Sequence, residues 1–103
     1  MKYIMKIRMS IEKGNEALKD PQFGHKMNGL LADIKAEAAY FGTINGQRGA
    51  YIVLNLNDAS EIPAVAEPFF LWLNADIEFI PVMRPEDLGK AGPAIGDVVK
   101  KWG

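Results

Sequence analysis

Residues 37–56 read EAAYFGTINGQRGAYIVLNL, and the reading of this stretch decides the fold. Asn45-Gly46 is the dipeptide preferred by two-residue hairpin turns, whose central positions need positive φ. The flanking runs Glu37–Ile44 and Arg48–Leu56 are therefore predicted as two antiparallel strands. The second run is apolar at five consecutive positions, Ala50, Tyr51, Ile52, Val53 and Leu54. A half-solvated strand alternates apolar and polar residues, so this one needs a cover on both faces.

Upstream of the hairpin, Met1–Met9 alternates. Tyr3, Met5, Ile7 and Met9 point one way, and Lys2, Ile4, Lys6 and Arg8 the other, which predicts a strand with one apolar and one mixed face. Ser10–Lys19 reads as a loop with one helical turn at most. Asp20-Pro21 reads as a helix start, with Asp as N-cap and Pro in the first helical position. Phe23, Met27, Leu30, Leu31 and Ile34 then follow the spacing of an amphipathic helix.

Downstream, Ser60 is expected to open a second helix with Ile62, Val65, Ala66, Phe69, Phe70 and Leu73 on one face. Asp76–Val82 reads as a short strand, and Pro81 assigns it to a sheet edge. Pro85-Glu86-Asp87 begins a C-terminal helical segment. It is interrupted at Gly92-Pro93 and resumes over Ala94–Trp102, with Ile95, Val98, Val99 and Trp102 expected inward.

The predicted order, β-α-β-β-α-β-α, is that of one α+β domain over residues 1–103. Its sheet is a ferredoxin-like βαββαβ antiparallel sheet with both helices on one face and an extra C-terminal helix. Helices on one side leave the other face of the third strand uncovered. The simplest second cover is another copy of the sheet, so a homodimer is expected.

Composition narrows the function classes. The chain has 103 residues, 12 Lys and Arg against 13 Asp and Glu, and no cysteine. A balance so close to neutral lacks the basic face that nucleic acid requires. Without cysteine there is no disulfide framework, thiol nucleophile or thiolate metal site. No apolar run approaches the ~18 residues of a membrane span. The start MKYIMKIRMS lacks the unbroken apolar core of a signal peptide, so a cytoplasmic setting is the expectation. LGKAGPAIG carries three glycines but matches neither phosphate-loop spacing, and reads as a broken helix.

Topology, length and the second apolar face resemble the dimeric α+β barrel superfamily, the muconolactone-isomerase-like and YCII-like proteins. More narrowly, EAAYF (37–41), GQR (46–48), EPFFLWLNA (67–75) and PVMRPEDL (81–88) resemble a group of small bacterial proteins to which no reaction is assigned. The resemblance runs through the whole chain. It implies two sheets facing each other in a dimer, with a small-molecule pocket between sheet and helices in each subunit. Superfamily members include cofactor-free isomerases, small monooxygenases and haem-dependent enzymes, so the fold narrows the chemistry little.

The residues that carry chemistry are few. Glu67 precedes Pro68 in the greasiest stretch of the chain, at the border of a helical apolar face and beside Phe70 and Asn74. Pro68 removes a helical amide, and a kink there turns the carboxylate toward the sheet. Among aromatic neighbours such a carboxylate is a candidate general base with a raised pKa. The competing reading is a structural ion pair with Arg8 or Arg48. Arg8 shares the mixed face of the first strand and is a candidate to hold a carboxylate or phosphate. Its structural alternative is a cross-strand pair with Glu78. Arg48 and Glu37 are candidates to pair with each other or with Glu67. Tyr40 and Tyr51 lie on paired strands, where one hydroxyl can point into a pocket. Trp72, on the helix flank, is expected under the C-terminal segment.

His25 falls off the helical stripe and reads as a surface histidine, which argues against haem ligation. One histidine and no cysteine leave no zinc spacing. Neither Ser10 nor Ser60 has a histidine at a spacing that fits a nucleophile. Three functions remain. The first is a homodimeric module binding a small, partly apolar, anionic metabolite with no cofactor, using Arg8, Tyr40, Arg48, Tyr51, Phe70 and Asn74. The second is a cofactor-free isomerase or small monooxygenase with Glu67 as base. The third is a structural or partner-binding protein.

Overall fold

A computed structural model describes all 103 residues. The elements are β1 (Lys2–Arg8), α1 (Ile11–Lys19), α2 (Phe23–Asp33), β2 (Ala38–Ile44), β3 (Gln47–Asn55), α3 (Ile62–Leu73), β4 (Asp76–Pro81), α4 (Pro85–Lys90) and α5 (Gly92–Trp102). The strands form one open antiparallel sheet in the order β2-β3-β1-β4, an α+β arrangement compatible with the ferredoxin-like expectation. No helix is long and apolar enough to cross a membrane.

The hairpin forms as its sequence dictates. Asn45 and Gly46 take φ values of 49° and 80°, the positive pair that a type I′ turn requires. Alternation then sorts the side chains. Met5 and Ile7 of β1 and Ala50, Ile52 and Leu54 of β3 are fully buried, and α3 covers them with Phe69 and Leu73. Removing these side chains from water drives folding at ~25 cal/mol per Å² of apolar surface. Tyr3 and Phe79 pack edge to face at 6.2 Å at the margin of this core.

Three expectations about helix starts need correction. Residues 11–19 form a nine-residue helix rather than a loop, because the Ser10 hydroxyl accepts from the Lys13 amide at its N-terminus. Gly14 sits where that helix crosses Arg48, and a Cβ there would stand 3.2 Å from the guanidinium. The residue that reads as a loop former is what lets the helix approach. Asp20 ends α1 rather than capping α2. Its carboxylate accepts from the Gln22 amide and from Lys26 Nζ, and α2 begins at Phe23. Before α3, Asp58 rather than Ser60 supplies the cap, accepting from the Ser60 amide at 3.0 Å, and residues 59–61 make a 3₁₀ turn.

Helix α3 continues through Pro68 and ends at Asn74, whose left-handed backbone (φ 47°) directs its amide to the Phe70 carbonyl. Trp72 packs against Phe23 of α2 at 5.5 Å rather than under the C-terminal segment. Ile95, Val98, Val99 and Trp102 are exposed rather than inward, because α4 and α5 stand away from the sheet. The molecule is accordingly long, 58 × 27 × 21 Å, with a radius of gyration of 17.2 Å. A compact chain of this length has a radius of about 13 Å.

Candidate functional site

The face of the sheet opposite the helices is built from three rows of side chains. Ala38, Val53, Ile4 and Ile80 make an apolar row across β2, β3, β1 and β4. Beside it run Tyr40, Tyr51, Lys6 and Glu78, then Gly42, Gly49, Arg8 and Asp76. No helix lies over these rows, and Tyr40 and Tyr51 are 66% and 42% exposed. The fully apolar run in β3 therefore has its second face open within one chain.

The charges on this face are paired in the plane of the sheet. Arg8 donates to one oxygen of Asp76 through Nε (3.2 Å) and a terminal nitrogen (2.6 Å). The expected partner, Glu78, instead faces Lys6 at 3.8 Å, because register sets Arg8 opposite Asp76 and Lys6 opposite Glu78. Lys6, Arg8, Asp76 and Glu78 border a surface hollow of about 190 Å³ whose far wall is Ile44 and Asn45. Ile44 is buried because it folds over Gly49, where a Cβ would lie 2.7 Å from its terminal carbon. At the opposite end of the face, Glu37 accepts from Lys2 and Asn55. These hydrogen bonds, Lys2 first, hold its carboxyl below the usual glutamate range.

The other candidates lie elsewhere. Arg48 is on the helix-covered side and donates to Asn15 at 2.8 Å, so it pairs with neither Glu37 nor Glu67. Glu67 is exposed on the outer side of α3, since Ala66 and Phe69 take the inner side. It makes no ion pair with Arg8 or Arg48, and no aromatic enclosure surrounds it. Phe70 is exposed on the same outer surface, and Asn74 is occupied as the helix cap. The structure thus brings Arg8, Tyr40 and Tyr51 onto one face, with Lys6. It sets Glu67, Phe70 and Arg48 on the far side of the sheet.

Lys6, Asp76 and Glu78 are the site-lining residues that sequence reasoning left out of the binding set. The period-two alternation of β1 and β4 puts all three on the face of Arg8. His25 is exposed, and no three acidic or histidine side chains converge in a way that would hold a metal ion. The site offers two cations, two carboxylates and an apolar floor with two phenols. Each cation is paired with one of the carboxylates, so the hollow carries no net charge. Neither a scan against protein-family models nor a search of curated proteins returns a match to this chain.

Proposed function

We propose that the protein is a homodimeric small-molecule-binding module in which two ferredoxin-like sheets stack through their open faces, as a dimeric α+β barrel. One observation carries this reading. A sheet face with Ile4, Val53, Ile80, Tyr40 and Tyr51 in continuous rows lies uncovered in the single chain. Contiguous apolar surface of this kind marks an interaction site. The hollow of about 190 Å³ at Arg8 and Lys6 is smaller than the ~300 Å³ at the low end of ligand pockets. A second sheet would roof it, and a carboxylate placed there would compete with Asp76 and Glu78 for Arg8 and Lys6. The ligand class is a small, partly apolar anion, held by Arg8 and Lys6 against Tyr40 and Tyr51.

Binding is favoured over catalysis because Glu67, the candidate base, is exposed and on the opposite side of the sheet from these residues. The test is native mass spectrometry of the purified protein, followed by an NMR titration with benzoate, using benzyl alcohol as the uncharged control. A dimer whose Arg8 Nε and Tyr51 ring signals move with benzoate, and far less with the alcohol, is the expected result. A monomer would remove the stacked sheets. A dimer indifferent to both probes would remove the anion site.

A further inference from the structure

The chain beyond β4 forms an arm that its own body does not use. Every residue of α5 is exposed, yet Ile95, Val98, Val99 and Trp102 recur at i, i+3, i+4 and i+7, a continuous apolar stripe. Trp102 is 79% exposed. An eleven-residue helix is shorter than the ~12–15 residues at which isolated helices become even marginal in water. Such a helix needs a surface to lie on.

We propose that α5 is a clasp whose apolar stripe seats on a second copy of the chain, the same copy whose sheet stacks on the open face. This rests on the dimer reading above. The arm's point of departure supports it. The Val82 amide donates to the Lys2 carbonyl, and Lys2, Asn55, Val82, Met83, Arg84 and Asp87 border one hollow. Lys2 and Asn55 are opposite one another at the end of the open face, so the arm leaves the body at the border of that face. Whatever stacks there lies beside the base of the arm.

Area points the same way. Four strands ~4.8 Å apart and about seven residues long at ~3.4 Å per residue give a flat footprint of about 450 Å². Stable interfaces bury ~800 Å² on each partner. That outline is a projection and the accessible surface of its side chains is larger, so the sheet supplies much of this area and an exchanged arm from each copy adds to it. The arm's charges, Arg84, Lys90, Lys100 and Lys101 against Glu86, Asp87 and Asp97, nearly cancel. It therefore lacks the polybasic character of a helix drawn to an anionic membrane.

The experiment is sedimentation equilibrium on the full-length chain, on Val98→Asp in the arm and on Tyr51→Asp on the open face, with thermal unfolding followed in parallel. The clasp requires a wild-type dimer whose dissociation constant rises at least tenfold in Val98→Asp while the unfolding midpoint of the body stays in place. A Val98→Asp dimer as tight as wild type overturns the clasp and leaves the stacked sheets standing. Loss of dimer in Val98→Asp but not in Tyr51→Asp keeps the clasp and removes the stacked sheets. A monomeric wild type overturns both. If that monomer also sediments with phosphatidylcholine–phosphatidylserine vesicles through Val98, the stripe serves a lipid surface.

Discussion

Arg8 and Asp76 are direct cross-strand partners at one end of the open face, joined by two hydrogen bonds from one guanidinium to a single carboxylate oxygen. An anion entering the hollow must compete with that carboxylate. Asp76→Asn removes the competitor and leaves the shape of the hollow. The expected outcome is benzoate affinity about fivefold higher, the effect of ~1 kcal/mol, the upper end for an exposed charge pair. Fold stability should change by less than about 1 kcal/mol, since exposed pairs contribute little. Isothermal titration and denaturant melts read the two quantities separately. Weaker benzoate binding in Asp76→Asn would mean that Asp76 positions Arg8 rather than competing for it.

Gly49 is placed by sterics rather than by turn geometry. A Cβ there would stand 2.5 Å from the Ile7 carbonyl oxygen and 2.7 Å from the Ile44 side chain. One of those neighbours is backbone in the middle of the sheet and cannot swing away. Gly49→Ala is expected to destabilise the fold by about 1–3 kcal/mol, the usual range for overpacking. A urea midpoint equal to wild type would show that β1 and β3 can part at no penalty.

The core and the outer surface of α3 should respond very differently to truncation. Phe69 is fully buried between the helix and the sheet, and Phe69→Ala is expected to destabilise by about 3–5 kcal/mol. Leu71, two residues on, is 80% exposed, and Leu71→Ala should stay within about 0.5 kcal/mol in the isolated fold. Thermal melts of the two variants side by side check the orientation of the helix.

The strands were legible because alternation and the Asn45-Gly46 turn are strong local signals. The α+β class followed from them. Helix α1 was not legible: Ser10–Lys19 read as a loop, and only contact with Arg48 explains the glycine at position 14. The C-terminal stripe was read correctly as amphipathic and wrongly as inward. Periodicity identifies an apolar face but not the molecule that covers it. The same ambiguity affected Glu67: a helical wheel assigned it to a border, and the packing of Ala66 and Phe69 turned it outward. Arg8 was assigned to the correct face with the wrong partner, an error of two residues in register.

Glu67 supplies a direct test of that outward placement. With no ion pair to lose, Glu67→Gln should leave the unfolding midpoint within about 0.5 kcal/mol of wild type. It should also leave benzoate binding unchanged, since the hollow lies across the sheet. A large loss of stability would identify a partner for Glu67 on another copy of the chain. Altered benzoate affinity would bring it back as a binding residue.

Acid should loosen the fold through carboxylates that are better satisfied folded than unfolded. Hydrogen bonds from Lys2 and Asn55 lower the pKa of Glu37, those from Lys26 and Gln22 lower that of Asp20, and backbone amides lower those of Asp58 and Asp87. A group whose folded pKa is depressed contributes stability above its unfolded value, ~4.3 for Glu and ~3.9 for Asp, and loses it as pH falls through the folded value. All four are surface groups, so the slope should be shallow and weaken with salt. The unfolding midpoint should therefore hold steady above about pH 5 and decline below pH 4. In Lys2→Ala, whose largest effect is on Glu37, carboxyl NMR should find that group titrating closer to an ordinary glutamate, and part of the acid decline should vanish. A Glu37 titration unchanged by Lys2→Ala would assign its stabilisation to Asn55 instead.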